Sequence, residues 1–406
     1  MKSKSFLKYS SLLMLLLIAV AIFSAPASAS VLDDLIQKDT ESLQTLIGVE
    51  GSTADTTNLQ DELHKYGKNV DVWFMTVIIA FLMIFIKKFE WSVCLATMLV
   101  TAGSFLAYTA IQQFVFGNTW SQDFLIMAIF CSITVVIAMG VFLGTIKPWQ
   151  YLLAGVLFAP SWMAVDWFMN YYLEGVVDPG GSMLVHMVAA YWGWGVILAL
   201  REKRAFNEPM KTTTHSVSLV WLAAMLLFVF WPSFVTALAP ADMVTWGMAT
   251  TYMAGLGSVI SAYVTCIALE KKVNPLVYTY AMLAGMVAIG SPLLSVGPWG
   301  ALIIGILAGI ISVISFVKIH PVLCEKLGVL DVMGVHNLHG IVGVFGAIVG
   351  AIVAAGFVNI ISLVGVIVIS LITGFISGIV LKLTRGKMSD DELFSDEKVF
   401  IGWSPE

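Results

Sequence analysis

Long, nearly uncharged apolar runs constrain this chain more than any other feature. Eleven runs are long enough to cross a bilayer as helices, and only 12% of the 406 residues are charged, about half the share found in soluble domains. The sequence therefore predicts an all-α integral membrane protein with 11 transmembrane helices. The runs lie near 70–87, 92–115, 123–146, 149–172, 181–200, 216–239, 243–269, 275–293, 298–317, 333–355 and 358–381.

Lysine and arginine occur in every second loop between these runs, and the intervening loops contain neither residue. Basic loops remain on the cytoplasmic side of a membrane. The pattern predicts a multi-pass protein of the cell membrane with its mature N-terminus outside and its C-terminus in the cytoplasm. The basic loops lie at 87–88, 147, 201–211, 271–272, 318–326 and 382–387.

The two ends of the chain differ from its apolar middle. Basic residues, an apolar stretch and the sequence Ala-Ser-Ala before position 30 predict a signal peptide at 1–29, with an uncleaved first span as the alternative. An extracytoplasmic segment follows at 30–69, where three- and four-residue apolar spacing favours short amphipathic helices. The transmembrane domain covers 70–385. An acidic cytoplasmic tail at 386–406 is either regulatory or simply solvated.

Several functional classes are disfavoured by the composition. The longest basic cluster is Arg-Glu-Lys-Arg at 201–204, so we expect no nucleic-acid partner. No sequence resembles a nucleotide site, and no cofactor is expected. The cysteines contain no Cys-x-x-Cys pair and are interpreted as free thiols without a metal site. They are Cys94, Cys131, Cys266 and Cys324.

Glycines spaced four residues apart occur in the last spans. This spacing lets helices approach each other closely in a membrane. The sequence leaves open whether the close contacts lie within one bundle or between subunits. The pairs are Gly305 and Gly309, Gly346 and Gly350, and Gly374 and Gly378.

Two apolar runs begin with ionisable residues. One begins within "DPGGSMLVH", with Asp178 and His186, and the other begins within "DVMGVHNLHGIVG", with Asp331, His336 and His339. Ionisable groups inside spans are costly and indicate function. The first run enters from outside and the second from inside, so two inverted five-span repeats would bring both sites to the membrane centre.

The aspartates and histidines of these stretches have simpler explanations too. An Asp just before a helix caps its free N–H groups, and this is preferred for Asp178 and Asp331 over direct substrate contact. His336 and His339 are three residues apart and would share a helix face. A metal site is the alternative for that spacing, but no carboxylate-rich or cysteine motif accompanies it. We therefore predict no metal.

These stretches, with "FWPSF" at 230–234, resemble the signatures of the ammonium transporter/Rhesus (Amt/Rh) superfamily, specifically its Rhesus branch. The resemblance covers about 70–385. It implies a channel domain of two inverted five-helix repeats plus a last helix, assembled as a homotrimer in the lipid bilayer. It also implies transport of ammonium or ammonia, and not an enzyme.

The resemblance further implies the roles of individual residues. Val235 and Leu238 stand where relatives carry polar residues, so the outer recruitment site is expected to be less polar than in Amt proteins. The implied site residues are the hydrogen-bonded pore pair His186 and His336, the additional pore histidine His339, the gate Phe130 and Phe234, the structural or electrostatic Asp178 and Asp331, and the vestibule candidates Asp166, Trp167 and Trp231.

Physical chemistry explains why such a pore suits a small base. An ion in an apolar bore loses its hydration at great cost, whereas neutral ammonia loses only hydrogen bonds. A neutral imidazole offers one donor and one acceptor nitrogen. Methylammonium and carbon dioxide are further candidate substrates. The sequence leaves open electroneutral or electrogenic transport, an ammonium sensor or scaffold with low conductance and, more remotely, a membrane metalloenzyme.

Overall fold

The structure is a computed structural model that describes residues 53–207 and 212–403. Every regular element in these two ranges is a helix, and several helices contain a short π-helical turn. The predicted signal peptide at 1–29 lies outside the described residues, as do 30–52 and 404–406. The all-α prediction is confirmed for the part of the chain that is described.

Nine helices in the described ranges are long and apolar enough to cross a membrane. Of the other two long segments, α1 has a polar first half, and α8 is shorter and interrupted after Ala281. In chain order the helices are α1 (Thr53–Leu82), α2 (Trp91–Phe114), α3 (Gln122–Met139), α4 (Pro148–Tyr172), α5 (Ser182–Leu200), α6 (Thr214–Val235), α7 (Ala241–Glu270), α8 (Pro275–Ala288), α9 (Pro298–Leu327), α10 (His336–Ala354) and α11 (Phe357–Arg385).

Helix α1 begins 17 residues before the first apolar run, so the end of the predicted outer segment is continuous with it. Its polar half is tied to the bundle by charge. The Lys65 ammonium lies 2.8 Å from the Asp61 carboxylate, one turn earlier, and 2.9 Å from Asp123 at the start of α3. The first helix therefore extends the bundle at the end opposite the basic loops.

Helices α3 and α8 both stop early, and their unwound ends lie buried inside the bundle. The carbonyl of Gly290, after α8, accepts a hydrogen bond from the Gly180 amide just before α5 (2.8 Å). The carbonyl of Gly140, after α3, accepts one from the Met333 amide just before α10 (3.1 Å). The end of α3 thus supports the start of α10, and the end of α8 supports the start of α5.

Glycines allow several helix pairs to pack at backbone distance. A Cβ atom added at Gly305 of α9 would lie 1.9 Å from the Ala254 carbonyl oxygen of α7. One added at Gly374 of α11 would lie 2.1 Å from the Trp192 carbonyl oxygen of α5. The close contacts predicted from the four-residue spacing are therefore made within one chain at these positions.

The tail after α11 folds back onto the end of the bundle that carries the basic loops, here called the basic end. The Asp396 carboxylate accepts hydrogen bonds from the Trp91 and Ser92 amides (2.8 and 3.0 Å), so it caps the start of α2. Phe394 is 2% exposed, and its ring fills the space that a side chain at Gly144 would need. The φ of 73° at Gly144 also favours glycine there. The described tail is thus packed against the bundle.

An ion-pair cluster at the basic end holds the tail beside the loop after α5. Arg204 lies 2.8 Å from Glu202 and 2.7 Å from Asp390 of the tail, while Arg385 lies 3.2 Å from Glu202. The hydrogen bonds from Arg204 hold the pKa of the Glu202 carboxyl below its usual value. Ionised Glu202 therefore holds Arg204, which in turn binds Asp390 of the tail.

Replacing Gly305 with Ala should destabilise the bundle, because the new methyl group would meet backbone and cannot be accommodated by a rotamer change. We expect a cost of about 1–3 kcal/mol, typical of overpacking, seen as a lower unfolding temperature in detergent. Gly67→Ala is the matched control, since nothing lies within 4 Å of the added atom. Equal unfolding temperatures for the two variants would contradict the packing.

The docked tail should loosen in acid. Because the pKa of Glu202 is lowered in the folded state, its stabilising contribution is complete above the ordinary Glu value and is lost as the pH falls through the lower folded value. We expect hydrogen-exchange protection of tail amides, corrected for intrinsic rates, to fall over that interval.

The Glu202→Gln variant should lose this part of the pH dependence, whereas Glu325→Gln, an exposed site in α9, should retain it. An unchanged pH profile in Glu202→Gln would show that the cluster does not hold the tail.

Candidate functional site

The start of α5 lies inside the bundle, where its free amides cannot reach water. Gly181 adopts a left-handed conformation (φ 76°), and a π-helical turn follows over Ser182–Met187. The Asp178 carboxylate accepts hydrogen bonds from the Met183 and Leu184 amides and from the Ser291 hydroxyl. This cap fixes the turn that carries His186.

The start of α10 is built in the same way from the basic end. The Asp331 carboxylate accepts hydrogen bonds from the Val335 and His336 amides (3.0 and 2.9 Å), and a π-helical turn follows over His336–Gly340. The Asn337 side chain accepts a hydrogen bond from the Ser315 hydroxyl (2.6 Å) and donates to the Gly334 carbonyl (3.1 Å). Both turns are therefore anchored by buried polar groups.

The two turns bring His186 and His339 together at the centre of the bundle. Their Nδ1 atoms are 3.0 Å apart, and their rings are separated by 5.1 Å between centroids. The exposed fractions are 1% and 6%. A hydrogen bond between two Nδ1 atoms needs one proton, so one imidazole donates and the other accepts.

The predicted pairing of His186 with His336 is wrong, because the partner of His186 is His339. The His336 ring instead packs edge-on against Tyr191 and Trp194 of α5, at 5.5 Å from each. In an α-helix residues three apart lie nearly on one face, but the wider π turn separates them by a larger angle. Only His339 therefore faces His186.

A small cavity lies beside the histidine pair. Its volume of about 30 Å³ accommodates a single water-sized molecule. His186, His339, Trp231 and Tyr280 are the polar side chains of its wall, and the Tyr280 hydroxyl already donates to the Leu82 carbonyl (3.2 Å). The rest of the wall is apolar and includes Met75, Ile79, Met83, Ile133, Leu227 and Leu338.

Phe130 and Phe234 are in contact with each other beside this cavity. Their ring centroids are 4.9 Å apart, and the exposed fractions are 4% and 2%. Phe234 also lies in the cavity wall, 5.9 Å from the His186 ring. The two predicted gate residues therefore form a pair, and Phe234 places that pair next to His186.

Trp231 is not a vestibule residue, contrary to the prediction. It is 3% exposed, lies in the wall of the cavity and stacks on His186 with 5.5 Å between ring centroids and 25° between ring planes. The reason is its spacing from Phe234, since residues three apart on α6 point to the same side. The sequence contained this spacing, but the resemblance gave Trp231 only as a vestibule candidate.

Asp166 and Trp167 line a second, larger cavity of about 540 Å³ at the far end of α4. The Asp166 carboxylate accepts a hydrogen bond from the side-chain amide of Asn170 (2.7 Å), and the Trp167 side chain is 57% exposed. This cavity and the central one share no lining residue. The vestibule candidates are thus divided between two places.

Asn359 of α11 supports the site and was missed by the sequence analysis. Its side chain accepts a hydrogen bond from the Val177 amide and donates to the Val177 carbonyl, both at 2.9 Å. It is fully buried and holds the strand-like approach to Asp178 in place. A buried Asn in an otherwise apolar span was the available signal.

Metal binding has no support in residues 53–207 and 212–403, where no group of three His, Cys, Asp or Glu side chains is placed to hold an ion. The four cysteines lie in these ranges as free thiols.

The helical bundle, its buried histidine pair and its apolar cavity define a polytopic membrane transport protein for a small molecule. The sequence profile of the Ammonium Transporter Family matches residues 51–397. This chain belongs to that family. It therefore transports ammonium or ammonia across a membrane.

Individual relatives point to the Rhesus branch. The chain is 32% identical to an ammonium transporter Rh type B of Oryzias latipes over 75% of this chain and 68% of that protein. It is 30% identical to an ammonium transporter Rh type C of Homo sapiens over 86% and 81%. The solved structure of Nitrosomonas europaea Rh50 superposes with a TM-score of 0.82, at 31% identity, over 86% of this chain and 94% of that one.

Replacing Asp178 with Ala should destabilise the protein, because two buried amides would lose their acceptor. Each buried donor left unpaired costs about 1–3 kcal/mol, so we expect a clear drop in unfolding temperature together with reduced ammonia flux. Asp242→Ala, in the exposed first turn of α7, is the control and should leave both unchanged. Wild-type stability of Asp178→Ala would show that the cap is dispensable.

Proposed function

We propose that this protein conducts neutral ammonia through a narrow apolar pore, after ammonium has lost a proton at the outer side. The observation that carries the proposal is the Nδ1–Nδ1 hydrogen bond between His186 and His339, buried beside a cavity that holds one small molecule. The pair supplies hydrogen-bonding groups in a wall that is otherwise mostly apolar.

The size and polarity of the cavity favour ammonia over ions. Moving a small ion from water into an apolar interior costs tens of kcal/mol by a Born estimate, unless a counter-charge is present. No acidic side chain lies in the wall of the central cavity. Potassium, sodium and intact ammonium are therefore excluded, whereas ammonia exchanges its hydrogen bonds with water for bonds to imidazole.

The paired histidines present complementary groups to the pore. Since one Nδ1 donates to the other, one Nε2 carries a proton and the other does not. Ammonia can then donate to the bare nitrogen of one ring and accept from the N–H of the other. His336, one turn closer to the basic end, is proposed as an additional pore histidine near the exit.

The approach to the pore combines attraction with occlusion. We propose that Asp166 and Trp167 draw ammonium to the outer cavity by charge and by cation–π attraction. Phe130 and Phe234, 4.9 Å apart, then act as a gate that admits only a dehydrated molecule. Val235 is 1% exposed and Leu238 is apolar, so recruitment above the gate depends little on that segment.

The proposed topology contains eleven spans, which adds α1 and the interrupted α8 to the nine apolar helices. The support is the mutual bracing of α3 with α10 and of α8 with α5, which fits two inverted five-helix repeats followed by α11. With the basic end in the cytoplasm, the mature N-terminus lies outside the cell membrane. By resemblance to the family we propose a homotrimer with one pore in each subunit.

Conduction of this kind needs no cofactor, because the substrate moves down its own gradient. We propose that the protein is not an enzyme. Carbon dioxide and methylammonium are secondary substrates in this proposal, limited by the volume of about 30 Å³ beside the histidine pair. A net charge movement accompanies transport only if the proton of ammonium crosses as well.

The central test compares three leucine substitutions in proteoliposomes. His186→Leu and His339→Leu keep an apolar side chain of similar size but remove the hydrogen-bonding pair, so we expect ammonia flux, measured by stopped-flow pH change, to fall at least about 10-fold. His336→Leu leaves the His186–His339 pair intact, so its loss of flux should be smaller than that of the other two variants. Wild-type flux in all three variants would rule out conduction through this site.

A further inference from the structure

Two ring nitrogens in the wall of the central cavity have no hydrogen-bond partner. They are Nε2 of His186 and Nε1 of Trp231, and the side chains are 1% and 3% exposed. Buried polar groups in proteins are nearly always hydrogen-bonded. Two open nitrogens on stacked neighbouring rings therefore point to a molecule that binds between them.

One small cavity lies beside both rings. The two rings are in contact, with 5.5 Å between their centroids, and both line the cavity that holds one water-sized molecule. A molecule in that cavity therefore lies next to both residues whose ring nitrogens lack a partner. Ammonia has the size and the hydrogen-bonding groups to occupy this position.

The two nitrogens differ in what they offer. The indole N–H only donates, whereas the Nε2 of a neutral imidazole donates or accepts according to its tautomer. Ammonia has one lone pair. If His186 Nε2 carried a proton, both groups would compete for that lone pair. If it is bare, ammonia accepts from Trp231 and donates to His186, and both nitrogens are satisfied.

We propose that Trp231 is a positioning residue for transport, whose indole N–H donates to the lone pair of ammonia and selects the tautomer of the histidine pair. In that tautomer His186 Nδ1 donates to His339 Nδ1, across the 3.0 Å contact. His339 then carries its proton on Nε2 and donates to the next ammonia lone pair. This inference rests on the proposed conduction path. It fixes which histidine of the pair donates the hydrogen bond between them.

The first experiment is a matched pair of tryptophan substitutions in the full-length protein. Trp231→Phe keeps an aromatic ring beside His186 but removes the donor, and we expect ammonia permeability per protein to fall roughly 3- to 10-fold, the effect of one lost hydrogen bond. Trp192→Phe is the control. Trp192 Nε1 is also buried without a partner, but its ring packs on Phe142 and Phe158, outside the cavity. The Trp192→Phe variant should retain wild-type permeability.

The second measurement reads the tautomer, which a merely structural role would not change. With ¹⁵N-labelled histidine in liposomes under ammonia, solid-state NMR distinguishes protonated from bare ring nitrogens. We expect a single His186 tautomer with a bare Nε2 in the wild type and in Trp192→Phe, and a mixture in Trp231→Phe.

A protonated His186 Nε2 in the wild type, or wild-type flux and tautomer in Trp231→Phe, would overturn the inference. The His186→Leu variant separates this failure from a wider one. If it loses flux while Trp231→Phe does not, only the role of Trp231 is refuted. If it conducts normally, the conduction path itself is refuted.

Discussion

The central site depends on two helices that begin inside the protein, where unpaired amides are costly. Asp178 and Asp331 cap these two helix starts from opposite ends of the bundle. Each carboxylate accepts hydrogen bonds from two backbone amides at the start of its helix. In a membrane such starts are tolerated only where protein groups replace water. Placing His186 and His339 deep in the bundle is thus a consequence of where these carboxylates hold the first turns.

Hydrogen bonds between segments distant in sequence hold the central site in place. Each buried helix start is held by a carboxylate and by the unwound end of another helix, through Gly290 and Gly140. The histidine rings therefore meet at a fixed distance. A fixed, dry contact of this kind favours one small uncharged molecule over hydrated ions, because neither the wall nor the rings can open to solvate a charge.

Periodicity and charge predicted most of the architecture but not the partner of His186. The apolar runs, the basic loops and the two Asp residues indicated the spans and the buried helix starts. A glycine stands seven residues after His186, at Gly193. Glycines also stand seven residues after His336 and seven after His339, at Gly343 and Gly346, so this spacing could not select the partner. A π turn decides between the two histidines, and the hydrogen-bonding register of a single turn leaves no mark in apolar periodicity. The docking of Phe394 on Gly144 could not be predicted for a different reason, since it joins segments distant in sequence.

The docked tail has a practical consequence for work on this chain. Asp396 caps α2, and the Phe394 amide binds the Gly144 carbonyl, four residues from the Gly140 carbonyl that steadies the approach to α10. A purification tag or fluorescent reporter that replaces the tail directly after α11 would remove that cap and destabilise the neighbouring loop. A fusion partner joined after Glu406 keeps all the described contacts of the tail.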